Sequence, residues 1–248
     1  MLLVKRAVIR MLKRPFALMS GLGMSLFFLL VYNAGIGGIG HLPEFGGGGY
    51  LSFLLPMSLV SLAMGSAAGA GVSLHSDISS GYFRRLFLSP APRWIFAAAP
   101  LAADSVSTLI GASVILAAGA VSGVSFRYGL LSVLGVLALA LLWSIFLSAF
   151  SAGVMLRTGS AEGAKIVTSA VFPLIFLSST FLPLELITAR WLLAVSMVNP
   201  VTYLMEGMRF LLAGTSSAGY FHGGLFITAS LAAASLIFAL TGTRRIPV

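Results

Sequence analysis

The stretch Leu130-Leu-Ser-Val-Leu-Gly-Val-Leu-Ala-Leu-Ala-Leu-Leu-Trp143-Ser-Ile-Phe-Leu-Ser-Ala-Phe-Ser-Ala-Gly-Val-Met-Leu156 carries no charged residue. An apolar helix needs about 20 residues to cross the hydrocarbon of a bilayer, and this run exceeds that length. It is rich in Leu and Ala and lacks polar alternation, so it reads as a helix and not as a barrel strand. The composition agrees: 58% of the 248 residues are hydrophobic and 8% are charged, whereas a soluble domain carries about a quarter charged residues. A water-facing surface cannot be built from this chain. It is an integral membrane protein.

Five further runs pass the same ruler: Phe16 to Ile36, Leu51 to Leu74, Ile95 to Ser122, Ile166 to Leu182 and Phe221 to Gly242. The expected fold is therefore an all-α integral membrane bundle of six transmembrane helices, forming one domain over residues 1–248. The basic residues lie in clusters between the runs. Lys5, Arg6, Arg10, Lys13, Arg14, Arg84, Arg85, Arg93, Arg157, Lys165, Arg244 and Arg245 fall on one side, and only Arg127, Arg190 and Arg209 on the other. By the positive-inside rule both termini are cytoplasmic. A net charge of +9 distributed this way marks topology, and no nucleic-acid partner is expected. The first run is too long for the apolar core of a secretory signal, and Tyr32-Asn33-Ala34 offers no small-x-small cleavage site, so it is read as a retained helix.

The segment from Pro183 to Tyr220 could hold a seventh crossing, because Trp191 to Ala213 is long enough. Asn199-Pro200 interrupts that helix, however, and a crossing would place Glu206 and Arg209 in hydrocarbon. Two short helices that dip in from outside and return are expected over 183–220. Gly37 to Tyr50, with its run Gly46 to Gly49, reads as a flexible external linker, with no Lys-Ser/Thr after it to make a phosphate cradle.

Residues 1–15 place Leu3, Val4, Ala7, Val8, Met11 and Leu12 on one helical face and Lys5, Arg6, Arg10, Lys13 and Arg14 on the other. Such a helix lies in the interface against anionic lipid, as a topology signal or as a mechanical element. The segment 75–93 between the second and third runs repeats Ile78, Tyr82 and Leu86 at helical spacing. Asp77 stands near the start of that short helix, Arg84 and Arg85 flank it, and Pro90 and Pro92 end it. It has the makeup of a docking knob or of a lipid-surface loop.

Single residues suggest further roles. Asp104, well inside the third run, faces a cavity, snorkels, or meets a partner on another helix. Gly65-Ser-Ala-Ala-Gly69, extended by Ala70-Gly71, permits close helix packing within the subunit or between two copies. Glu206 and Arg209 are spaced to neutralise each other at the outer interface, a structural pair. With no cysteine, and with His41, His75 and His222 scattered, no metal site is expected.

Two segments carry a family resemblance. The spacing Asp77, Gly81, Leu86, Pro90 resembles the acid-Gly-Leu-Pro segment after the second helix of ABC-2 type transporter permeases, the membrane subunits of ATP-binding-cassette exporters. Asn199-Pro200-Val201-Thr202-Tyr203, followed after five residues by Arg209, resembles the family's Pro-x-x-aromatic-x5-Arg signature behind a Pro-containing fifth helix. Val201 stands where a larger Leu or Met is more usual. The order of elements matches over nearly the whole chain, most closely to the daunorubicin-resistance type of drug or lipid exporter.

The resemblance implies a half-transporter. Two permease copies, identical or paralogous, would pair above two separate cytoplasmic ATPase subunits, with ATP and Mg bound by the ATPase and no cofactor on this chain. The chain contains no Gly-x4-Gly-Lys-Ser/Thr loop, in keeping with that division. Asp77, Gly81, Arg84, Arg85, Leu86 and Pro90 would form the coupling helix seated on the ATPase. Phe172, Pro173, Phe176, Ser179 and Phe181 would line the substrate path, and Asn199, Pro200, Tyr203, Glu206 and Arg209 would build the external re-entrant cap. The implied localisation is a plasma membrane of the bacterial inner-membrane type. A polysaccharide or glycolipid exporter is the nearest alternative, although the aromatics are mostly Phe, which cannot hydrogen-bond a sugar. A proton-coupled secondary transporter suffers from the scarcity of buried acids, and a membrane enzyme from the lack of any catalytic constellation.

Overall fold

The computed structural model describes residues 15–40, 42, 45, 49–81 and 94–243. These form α1 (Pro15–Ile36), α2 (Gly49–Ser79), α3 (Trp94–Val121), α4 (Leu130–Thr158), α5 (Ala161–Phe176), α6 (Arg190–Val198), α7 (Pro200–Leu212) and α8 (Ala218–Gly242), with single 3-10 turns at Gly37–Ile39 and Leu184–Leu186. All but Pro15 of the amphipathic helix expected over residues 1–15, the glycines 46–48, and Arg84, Arg85, Leu86 and Pro90 lie outside the described residues.

Four helices among the described residues are long and apolar enough to cross a membrane: Gly49–Ser79, Ala97–Val121, Leu130–Thr158 and Ala218–Gly242. The chain is an all-α, multi-span membrane protein. α2 is its axis, packing against α1, α3, α4, α5 and α7, while α8 lies on α4 and α7. Burial reflects this order, with 76% of the most apolar stretch of α2 buried and only 28% of that of α8. Leu54, Leu55, Leu59 and Val60 of α2 meet Val136, Leu139, Trp143 and Leu147 of α4 and Leu204, Met205 and Met208 of α7 in the main core. Neither α6, with nine residues, nor α7, with thirteen, can cross about 30 Å at 1.5 Å per residue.

Several expected boundaries move, each for a local reason. α2 does not stop at Leu74 but runs on through Asp77 to Ser79. The chain then turns at Gly81, whose φ of +70° is a left-handed conformation suited to glycine after a helix end. Asp77 therefore sits in the last turn of a long helix, at its negative end, and not at the start of a separate one. α5 begins at Ala161, five residues ahead of the expected Ile166, because the Ser160 hydroxyl caps it by accepting from the Glu162 amide at 3.1 Å. It ends at Phe176 and not at Leu182, since the hydroxyls of Ser178 and Thr180 fold back to donate to the Ile175 carbonyl at 2.6 and 2.5 Å.

The small-residue face of α2, expected to allow close packing, does so within the subunit at its Gly71 end. Gly65 and Gly69 are exposed, and a Cβ on Gly69 would meet nothing within 4 Å. The close approach is made at Gly71, where a Cβ would lie 2.5 Å from Ala164 Cβ and 2.6 Å from Ser151 Oγ. Within the subunit, α2 thus closes on α4 and α5 at Gly71, while Gly69 faces open space.

Candidate functional site

Asn199-Pro200 is the hinge from which the site is built. The Asn199 side-chain oxygen caps α7 by accepting from the Val201 amide at 3.0 Å, and Pro200 occupies the first helical position, where no amide partner is needed. The same side chain donates to the carbonyls of Leu174 and Leu177, at 2.6 and 3.0 Å, and Ser196 donates to Leu177 at 3.1 Å. Two carbonyls left open where α5 ends at its Pro173 turn are thereby satisfied by the α6–α7 corner. Pro173 itself is exposed, and its carbonyl accepts from the Leu177 amide at 3.1 Å.

α7 then carries a charged pair into the protein. Arg209 is 1% exposed and Glu206 7%, with an Nη1–Oε1 separation of 2.5 Å. The two charges neutralise each other, as their spacing suggests, and they are buried in protein because partners from three directions satisfy them. Arg209 Nε donates to the Phe53 carbonyl of α2 at 3.1 Å, and Nη2 to the Thr180 carbonyl at 3.2 Å. Nη1 also donates to Ser179 Oγ at 3.0 Å, and the guanidinium lies 3.4 Å from the Phe53 ring centroid. Ser179 donates to Glu206 Oε1 at 2.6 Å, and Ser216 donates to Oε2. Burial works against the Glu206 charge, but the adjacent guanidinium and the two hydroxyls outweigh it and hold the carboxyl below its ordinary range. The result is a polar lock joining α7, α2 and the turn after α5. Tyr203 faces the other way, its ring 5.7 Å from that of Tyr220. Its carbonyl lies so close to Gly224 that a Cβ there would come within 2.5 Å.

Beside the lock runs an aromatic ladder. Phe172 and Phe176, 42% and 45% exposed, have ring centroids 5.2 Å apart. Phe176 lies 5.7 Å from Phe181, Phe181 4.8 Å from Tyr32, and Tyr32 6.0 Å from Phe28. The structure thus joins three of the expected path residues into one apolar strip and extends it onto α1. Ser179, placed on the same expected path, is fully buried in the lock.

At the opposite ends of α2 and α4 the chain is tied differently. Asp77 and Gly81 stand at the end of α2, and Ser79 and Ser80 donate back to the carbonyls of His75 and Asp77 at 3.0 and 3.2 Å. Arg157, in the last turn of α4, donates to the Phe238 carbonyl and Thr241 hydroxyl of α8, both at 2.8 Å, with its guanidinium 3.6 Å from the Phe238 ring centroid. Asp104 of α3 has partners on neighbouring helices: Ser144, donating at 3.1 Å, and Ser148, both from α4.

The sequence reading missed Phe53, Thr180 and Ser216 as partners of the charged pair, Tyr32 and Phe28 as the continuation of the ladder, and the Arg157 clamp. Ser144 and Ser148, one turn apart on an apolar helix, were a readable signal for Asp104; contacts such as Arg209 to Phe53, remote in sequence, had none.

Comparison with known proteins places these features. The family model described as ABC-2 type transporter matches residues 1–213. A putative transport permease, ycf38, of Cyanophora paradoxa is 27% identical over 229 residues, covering 86% of this chain and 74% of the relative. The probable doxorubicin resistance ABC transporter permease protein DrrC of Mycobacterium tuberculosis is 24% identical over 225 residues, covering 90% and 79%. Members of this family are non-catalytic transport subunits that generally work with a cytoplasmic ATPase. With the match running from the first residue through the α7 lock, the chain belongs to the ABC-2 type transporter family and is a permease subunit of an ABC transporter, moving a substrate across a membrane.

Proposed function

We propose that this chain is the permease half of an ATP-driven exporter, moving a hydrophobic or amphipathic, drug- or lipid-like substrate out of the cytoplasm across a plasma membrane of the bacterial inner-membrane type. The observation that carries the reading is the aromatic ladder Phe172–Phe176–Phe181–Tyr32–Phe28, a partly exposed apolar strip between α5 and α1. Such a strip offers sliding contact to an apolar molecule, and of its five rings only Tyr32 carries a hydroxyl that could hydrogen-bond a sugar. The relatives named for doxorubicin resistance support the same substrate class.

In this reading α1 joins the four long spans, and α5, whose sixteen helical residues reach only about 24 Å, completes a sixth crossing together with the turn that follows it; both termini are then cytoplasmic, and α6–α7 form the external re-entrant pair. Two permeases, identical or paralogous, meet beside α1 and α5. The end of α2, from Asp77 through Gly81 into the segment bearing Arg84, Arg85, Leu86 and Pro90, docks on the ATPase, which binds ATP and Mg. Closure of the ATPase pair pushes on this end of α2. The push reaches the exit cap because Arg209 holds the other end of α2, at Phe53, to α7.

The test is transport of a fluorescent amphipathic drug into inverted vesicles containing this chain and its ATPase. Phe172→Ala with Phe176→Ala should cut transport about tenfold while leaving the ATPase bound. Unchanged transport by the double variant, or transport by this chain alone under a pH gradient, would overturn the proposal.

A further inference from the structure

Asp104 is 7% exposed, on α3 between α2 and α4, and among the described residues no basic side chain is in contact with it. Instead, hydroxyls converge on it. Ser144 and Ser148 donate to the same oxygen, Oδ2. Thr108 lies 2.8 Å from Ser144, and Ser66 3.3 Å from Thr108. A hydroxyl has one hydrogen to give. If Ser144 gives its own to Asp104, Thr108 must donate to Ser144, and both hydrogens point toward the carboxylate. Ser66 stands beside this chain, its hydroxyl also donating to the Ala63 carbonyl at 3.2 Å. A buried carboxylate facing only neutral hydroxyls has two stable arrangements. In one it is charged and accepts every hydrogen; in the other it is protonated and donates to a serine oxygen, and the hydroxyl chain reverses.

We propose that Asp104, with Ser66, Thr108, Ser144 and Ser148, is a reversible one-proton binding site inside the bundle. One proton enters, the carboxylate becomes a carboxylic acid, and no other group changes charge. The elements packed on α3 bring no competing charge to this point. His75 and Asp77 of α2 lie more than two turns beyond Ser66, and Arg157 of α4 is more than two turns beyond Ser148 and clamped to α8. Tyr32 of α1 is engaged with Phe181. Tyr220 and His222 of α8 lie in its first turns, Tyr220 against Tyr203 and His222 against the Ala218 carbonyl.

The chain has only two aspartates, Asp77 and Asp104, so the full-length protein labelled with 13C at the aspartate carboxyl shows two carboxyl signals by NMR in lipid nanodiscs. The signal lost in Asp104→Asn should titrate in a single one-proton step. Removing two donors with Ser144→Ala and Ser148→Ala should move its midpoint by roughly one pH unit toward higher pH, because fewer hydrogen bonds then favour the anion. Should Asp104→Asn fail to fold, Asp77→Asn assigns the remaining signal by elimination. An Asp104 signal that stays in one form over the whole pH range of the folded protein, or a midpoint that ignores the loss of both serines, would overturn the proposal.

Discussion

Arg209 and Glu206 hold opposite charges in a place neither could occupy alone. Nearly every polar atom of the pair has a partner, so the sequence spacing of three gave the contact, but its energetic weight comes from Phe53, Ser179, Thr180 and Ser216. Removing one partner from a buried pair typically costs about 3–5 kcal/mol, whereas replacing both with apolar groups of similar volume costs far less. Glu206→Gln should therefore lower stability by an amount of that order, with the apparent Tm in nanodiscs falling accordingly. The double variant Glu206→Met with Arg209→Met should recover much of the loss. If the two single losses instead add in the double variant, the residues are not acting as a pair.

At the scale of the helix, Gly71 and Gly69 make opposite predictions although they are two residues apart on α2. A side chain at Gly71 runs into Ala164 and Ser151, while at Gly69 it meets open space. Gly71→Val should destabilise the isolated chain by about 1–3 kcal/mol, the usual cost of overpacking, and Gly69→Val by less than about 0.5 kcal/mol. Thermal unfolding of the two purified variants side by side checks this. Gly81 is different again, for its φ of +70° penalises any Cβ. Gly81→Ala should redirect the chain leaving α2 and weaken co-purification of the ATPase several-fold, with little change in Tm; equal recovery of the ATPase would separate that turn from docking. The apolar runs made the long helices legible, since length and hydropathy suffice for that. The ends were less legible, because they depend on which hydroxyl finds which carbonyl: Ser160 lengthens α5 at one end, and Ser178 and Thr180 shorten it at the other. Asn199-Pro200 was legible because a cap and a helix-starting proline act within three residues. Of the Asp104 cluster only the one-turn spacing of Ser144 and Ser148 was legible, and the α5–α1 ladder was not, since it draws its members from helices far apart in sequence.

The arrangement of the whole molecule in the membrane reduces to whether the α6–α7 corner returns to the side it came from. At 1.5 Å per residue α6 and α7 are each shorter than the hydrocarbon is thick, and Asn199 turns the chain between them. In the proposed topology the segment returns to the side it came from, and α8 runs back through the membrane so that its end is cytoplasmic. The absence of native cysteine allows this to be read directly. Ser80, Ser125 and Ser217 are exposed in the loops after α2, α3 and before α8. Ser125→Cys and Ser217→Cys should react with a membrane-impermeant thiol reagent in intact cells. Ser80→Cys should react only in inverted vesicles. Labelling of Ser217→Cys from the same side as Ser80→Cys would mean that the corner crosses after all. The Glu206–Arg209 lock would then lie within a spanning segment, and the end of α8 would emerge outside.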